Sequence, residues 1–117
     1  MSIVRREDRP VLDRGPGLPT LQQLVDRENG SENVTILVNE FTAGETVLSH
    51  THDVEEVLLV VTGECTVTVD GRVEPARQGD AVIVPAGALH SIGHGSAQPC
   101  TVVAVLGSPD LQIGPTR

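Results

Sequence analysis

The chain has 117 residues, a formal net charge of −8 and no lysine, its eight cationic side chains all being arginine. The surplus of acid argues against nucleic acid or an anionic membrane surface as partner, since both need a basic face, and the missing lysine rules out Schiff-base and pyridoxal-phosphate chemistry. Phe41 is the one aromatic residue, which all but removes base stacking and aromatic sugar platforms, and the length suffices for one core but not two.

In chain order, residues 1–17 mix charge with Pro and Gly and show no sustained period, so they form a loose arm or an extended edge segment. Their charged start, with no apolar core behind it, is not a signal peptide, and no apolar run approaches the roughly 20 residues of a membrane span. The expected compartment is the cytoplasm. Leu18, Leu21, Leu24 and Val25 suit one face of a short helix, while Gln22 to Val25 also suits a strand; both readings stand. Glu28-Asn29-Gly30-Ser31 is turn chemistry, and Asn33 to Asn39 reads as a strand from its β-branched content. Glu55 to Thr62 is apolar on both faces, which predicts a strand covered from both sides. Glu64 to Val69 alternates, Asp70-Gly71 is the clearest hairpin turn, and Arg72 to Arg77 returns. Ala81 to Val84 and residues 101–106 give two more strands, and Ser108 to Arg117 is a polar tail. Cys65 and Cys100 fall inside strands and are expected as buried, reduced thiols. Short strands, frequent turns and hardly any helix imply an all-β sandwich or small barrel.

Two stretches hold the chemistry. In the first, His50 and His52 are separated by one residue, so on an extended strand both imidazoles point to the same face. Glu56 has the same even parity, and a short turn after His52 could return its carboxylate to the pair; Glu55, of opposite parity, faces solvent. The second stretch ends in His90, just past the Pro85-Ala86-Gly87 turn. Two imidazoles and a carboxylate from neighbouring strands, with His90 able to supply a fourth donor, make a ligand set for a divalent transition metal.

The spacing resembles the two signature motifs of the cupin superfamily. The first reads Gly44, five residues, His50-x-His52, three residues, Glu56, six residues, Gly63; the second reads Gly79, five residues, Pro85-x-Gly87, two residues, His90. One departure is His94, where the family's second motif usually has Asn. The resemblance implies a single cupin-type jelly-roll barrel over residues 18–110, between an arm at 1–17 and a tail at 111–117. It also implies one bound divalent transition ion (Fe, Mn, Ni or Zn) on His50, His52, Glu56 and His90. Without a cation, Glu56 would be a carboxylate facing an aliphatic interior, at a cost of several kcal/mol or a forced protonation.

Cupins host many reactions, so the motifs narrow the function without fixing it. The main expectation is a metal-dependent enzyme on a small, enolisable metabolite, of the dioxygenase or the polyketide cyclase and isomerase kind, with Glu56 or His94 moving the proton. A non-catalytic, metal-containing binding module is the alternative. His94 also reads as a plain rim residue in an exposed turn. Asn39 and Glu40 flank the expected barrel mouth, and Arg27 is a candidate for an anionic group or a surface ion pair. The lining is expected from Leu58, Val60, Val82 or Ile83, and Val84, around a roomy cavity suited to an apolar or polycyclic compound. A homodimer is expected from the extended arm and exposed sheet edges.

Overall fold

The computed structural model describes residues 1–93 and 98–111, so His94 lies outside the described residues. The chain folds as two facing antiparallel sheets, as the turn-rich, β-branched sequence predicts. In chain order the strands are β1 (Val11–Leu12), β2 (Thr20–Val25), β3 (Thr35–Phe41), β4 (Thr46–His50) and β5 (Glu56–Thr62), followed by β6 (Glu64–Val69), β7 (Arg72–Arg77), β8 (Ala81–Val84), β9 (His90–Gly93) and β10 (Cys100–Leu106). One sheet has the order β1-β2-β3-β10-β5-β8 and the other β4-β9-β6-β7. Two 3-10 turns, Arg6–Asp8 and Arg27–Asn29, are the only helical segments among the described residues, and no helix there is long and apolar enough to cross a membrane. The stretch with two readings, Leu18 to Val25, is the strand β2.

Alternation decides which side chains enter the core. Phe41, Leu58, Val60, Val102 and Leu106 from the larger sheet meet Cys65, Val67 and Ile92 from the smaller one. The opposite parity of β5 does not follow the expectation of burial on both faces, since Leu59 and Val61 are 40% and 42% exposed, and Ile83 on the neighbouring β8 is 66% exposed. The reason is local coverage. The arm crosses only the outer face of β2 and β3, where Arg6 Nε donates to Gln22 Oε1 (2.9 Å) while Gln22 Nε2 donates to the Arg6 carbonyl (2.7 Å). Arg9 adds a hydrogen-bonded pair with Asp26 at 3.1 Å. These bonds satisfy Gln22, which is 3% exposed on an outward-facing position.

The Asp70-Gly71 hairpin forms as its sequence requires, with φ of 46° and 82° at the two central positions and β6 paired to β7 beyond it. Cys65 and Cys100 are free, buried thiols. Burial, and then the neighbouring Cys100, push the Cys65 thiol up to about 12, which keeps it protonated and unreactive. Gly63 closes the β5–β6 connection at φ 78°, and a Cβ there would strike the Pro99 carbonyl oxygen and stand 2.9 Å from Cys100 Cα. Gly63→Ala is therefore expected to lower stability by about 2–4 kcal/mol. Gly71→Ala, with open space around it, should cost only about 1–2 kcal/mol. Parallel urea melts check the ordering, and equal losses would contradict it.

Candidate metal centre

Both histidine-bearing stretches reach one end of the space between the sheets. An irregularity in the β4–β9 ladder after Val47 sets His50 directly opposite His90. His90 in turn pairs with Val69 on β6. The Leu89 backbone N–H donates to Asp70 Oδ1 (3.0 Å), and the Leu89 carbonyl accepts from the Asp70 N–H (2.8 Å), which anchors the start of β9 to the hairpin turn. The Gly87 N–H donates to the His52 carbonyl at 2.7 Å, tying the Pro/Gly turn of one motif to the His-x-His of the other. Glu56 opens β5 between Leu106 and Val84 on its neighbouring strands, facing the histidines from the opposite sheet.

The four predicted residues are thus brought together. Donor atoms of His50, His52 and His90 all lie within 4.8 Å of one another. His50 Nε2 and His52 Nε2 are 3.1 Å apart. The Glu56 carboxylate is 2.9 Å from His90 Nε2 and 3.5 Å from His52 Nε2. His52, Glu56 and His90 are each at most 4% exposed, whereas Glu55 is exposed, as parity predicts.

Two of the three rings are aimed from behind. His50 Nδ1 donates to the Leu48 carbonyl (2.8 Å) and His90 Nδ1 to the Ala88 carbonyl (3.0 Å). With Nδ1 protonated and held, a neutral ring presents a bare Nε2 lone pair to the shared space. His90 Nε2 is buried and makes no aligned hydrogen bond despite its 2.9 Å approach to Glu56. Ligands at right angles around an ion, each about 2.0–2.2 Å from it, stand about 2.8–3.1 Å apart. The 3.1 Å and 2.9 Å separations match such edges, so the residues fit a divalent cation.

The two framing histidines differ electrostatically. Burial lowers His50, aided by the other two imidazoles and offset only in part by its Leu48 carbonyl and Glu56. Burial also works against the charged form of His90, but its contact with Glu56, the Ala88 carbonyl and the charges of Glu56 and Asp70 outweigh it, so His90 is raised. As pH falls, His90 takes a proton before His50 does.

A cavity of about 260 Å³ opens from the cluster, lined by Leu21, Leu37, Val47, Leu58, Ile92 and Ala104, with Leu18, Leu48 and Leu111 at its sides. It lies below the usual range of about 300–1,000 Å³ for ligand sites, so the expected roomy, polycyclic-sized chamber is not found. Leu18 and Leu111, from segments flanking the strands, help occupy that space. Of the lining predicted, Leu58 lines it; Val60 and Val84 are packed in the core, and Ile83 points outward. Asn39 lines the cavity, while Glu40 faces outward to Arg6 at 2.9 Å. Arg27 forms an exposed fork with Asp110 (2.9 and 2.8 Å) rather than meeting the cavity. The polar residue missed by sequence reasoning is Arg14, which reaches the cavity from the arm; no period or motif there marks it.

The Cupin domain family model matches residues 37–106, and the chain belongs to that family. It is 37% identical over 113 residues to a gentisate 1,2-dioxygenase from a Ralstonia species, covering 93% of this chain but only 30% of that protein. Among solved structures, the polyketide cyclase RemF of Streptomyces resistomycificus matches with a TM-score of 0.80 and 24% identity, over 97% of this chain and 84% of that one. Bacillus subtilis oxalate decarboxylase, described with Mn(II) centres, matches with a TM-score of 0.79 and 20% identity, over 96% of this chain and 32% of that one. These solved structures speak for the fold.

His50→Ala removes the half-buried imidazole of the cluster and should weaken metal binding at least about 100-fold while leaving a folded chain. Metal analysis after dialysis against a chelator checks this, and retained stoichiometric metal would contradict it. Protons and metal compete for the same Nε2 lone pairs, so metal bound at about pH 7.5 should be released by about pH 5. Equilibrium dialysis across that range is the measurement.

Proposed function

We propose that the protein is a metal-dependent cupin enzyme that holds one divalent transition ion (Fe, Mn, Ni or Zn) on His50, His52, His90 and Glu56 and transforms a small, enolisable metabolite. The observation that carries this reading is the 3.1 Å approach of two imidazole Nε2 atoms at the wall of a small aliphatic cavity. When bound, the ion supplies Lewis acidity or dioxygen chemistry at the positions the four side chains leave open. The chain's own residues supply the rest. Leu37, Leu58, Ile92 and Ala104 exclude water around the substrate, and the Leu48 and Ala88 carbonyls keep the rings oriented. Glu56 takes up or returns the proton at the enolisable carbon, with His94 as the second candidate carrier.

Two reaction classes have support. Ring oxygenation is favoured by the 37% identity to a gentisate 1,2-dioxygenase, of which this chain spans only about a third of the length. A cyclase or isomerase reaction without net oxidation is favoured by the match in size to RemF, where the two chains cover each other almost fully. A metal-containing binding protein without turnover is the alternative to both. A cytoplasmic homodimer is the proposed form, supported by the exposed Leu59, Val61 and Ile83 on the uncovered sheet face.

Metal analysis of the purified protein, followed by oxygen uptake with hydroxylated aromatic acids and 1,3-dicarbonyl compounds, tests the proposal. Iron, manganese or nickel with oxygen consumption selects the oxygenase. Zinc with no oxygen uptake, but exchange of the enolisable hydrogen with deuterated solvent, selects the cyclase or isomerase. Stoichiometric metal with neither activity overturns the enzyme reading.

A further inference from the structure

Arg14 is the one arginine lining the cavity, and it is held there without an acid. Its Nε and Nη2 donate to the Pro19 carbonyl (3.3 and 3.1 Å), and Nη2 also reaches Asn39 Oδ1 at 3.5 Å. Both acceptors are neutral. Among the described residues Arg14 forms no ion pair, whereas Arg6, Arg9, Arg27, Arg72 and Arg77 each have a carboxylate. The carboxylate that shares the cavity, Glu56, stands against His90 and His52. A structural tie to Pro19 accounts for one edge of the guanidinium but leaves Nη1 and the positive charge without a partner. In a chain of net charge −8, an arginine spared from surface pairing and set among leucines is unusual. Partial burial works against its charged form, and no acid offsets it, yet a guanidinium remains protonated.

We propose that Arg14 is a specificity-determining residue that binds an anionic group of the substrate, a carboxylate, by its free Nη1–H and its charge. The proposal rests on the cavity being the substrate site argued above and adds the substrate class: a compact acid, with its carboxylate at Arg14 and an aliphatic or single-ring body against Leu18, Leu21 and Leu37. A planar fork suits carboxylate geometry better than an ammonium does. The small volume accommodates one ring or a short chain.

Benzoate and benzamide, nearly equal in shape and different in charge, are suitable probes. Titrated into the metal-free protein and followed by amide chemical shifts, benzoate should bind at least about tenfold more tightly than benzamide, with shifts at Leu37, Asn39 and Ala104. Arg14→Gln should abolish that preference while the protein still takes up one metal ion. Should Arg14→Gln fail to fold, Arg14→Lys serves in its place and should keep a reduced preference. Equal binding of the two probes to the unsubstituted protein, an unchanged preference in Arg14→Gln, or shifts confined to residues outside the cavity would each overturn the proposal. Because the metal is absent from the titration, its failure is distinct from failure of the enzyme reading, which metal content and turnover decide.

Discussion

Two imidazole Nε2 atoms 3.1 Å apart repel each other unless a proton or a cation lies between them. The rest of this structure serves to hold them there. The carbonyls of Leu48 and Ala88 take the Nδ1 protons of His50 and His90, so those rings cannot relieve the crowding by changing tautomer without losing a backbone hydrogen bond. The remaining lone pairs converge, and the Glu56 carboxylate faces them from the other sheet. A buried carboxylate beside converging lone pairs is a poor arrangement for an empty core and a good one for an ion of charge +2. On the proposed reading, a bound metal would contribute to the stability of this end of the molecule as well as to its chemistry.

The fold earns its two-sheet form from the same requirement. A single strand could present His50 and His52, but not His90 and Glu56 as well. His90 arrives through β9, paired to β4 on one side and β6 on the other, and Glu56 arrives through β5 in the opposite sheet, flanked by β10 and β8. Backbone pairing on both sides of both strands leaves little freedom to the donors. The Gly87–His52 hydrogen bond then joins the two motifs directly, so that a turn of low intrinsic stability is held by the residue whose ring it helps position.

Much of this was legible in the sequence, because the ligands follow rules of spacing. Parity put His50 and His52 on one face and separated Glu56 from Glu55, a turn after His52 returned Glu56 from the opposite sheet, and Asp70-Gly71 named its turn by the positive φ that it needs. Other features depend on contacts between distant segments. The outer parity of β5 reads as buried from its apolar composition, yet what covers it is decided by where the arm runs, and the arm stops at β2 and β3. The four-residue β9, with Ser and Gly among its members, is too short to show a period. Arg14 is invisible for a similar reason: nothing in the sequence separates it from the five arginines that meet a carboxylate in space.

The cavity volume also follows from segments that carry no pattern. Leu18 precedes β2 and Leu111 follows β10, and both reach inward where a strand-only reading leaves open space. Their presence changes the kind of selectivity the site can exercise. A large aliphatic chamber discriminates by shape in steps of only about 1–3 kcal/mol per methylene. A compact one with an ion at one wall and a guanidinium at another discriminates by polar groups that would otherwise be left unpaired, which is the stronger device. With Phe41 in the core and no Trp or Tyr in the chain, no large aromatic platform adds to this selection. In the proposed site, the two charged ends would set which molecules bind, and the aliphatic wall between them how long those molecules can be.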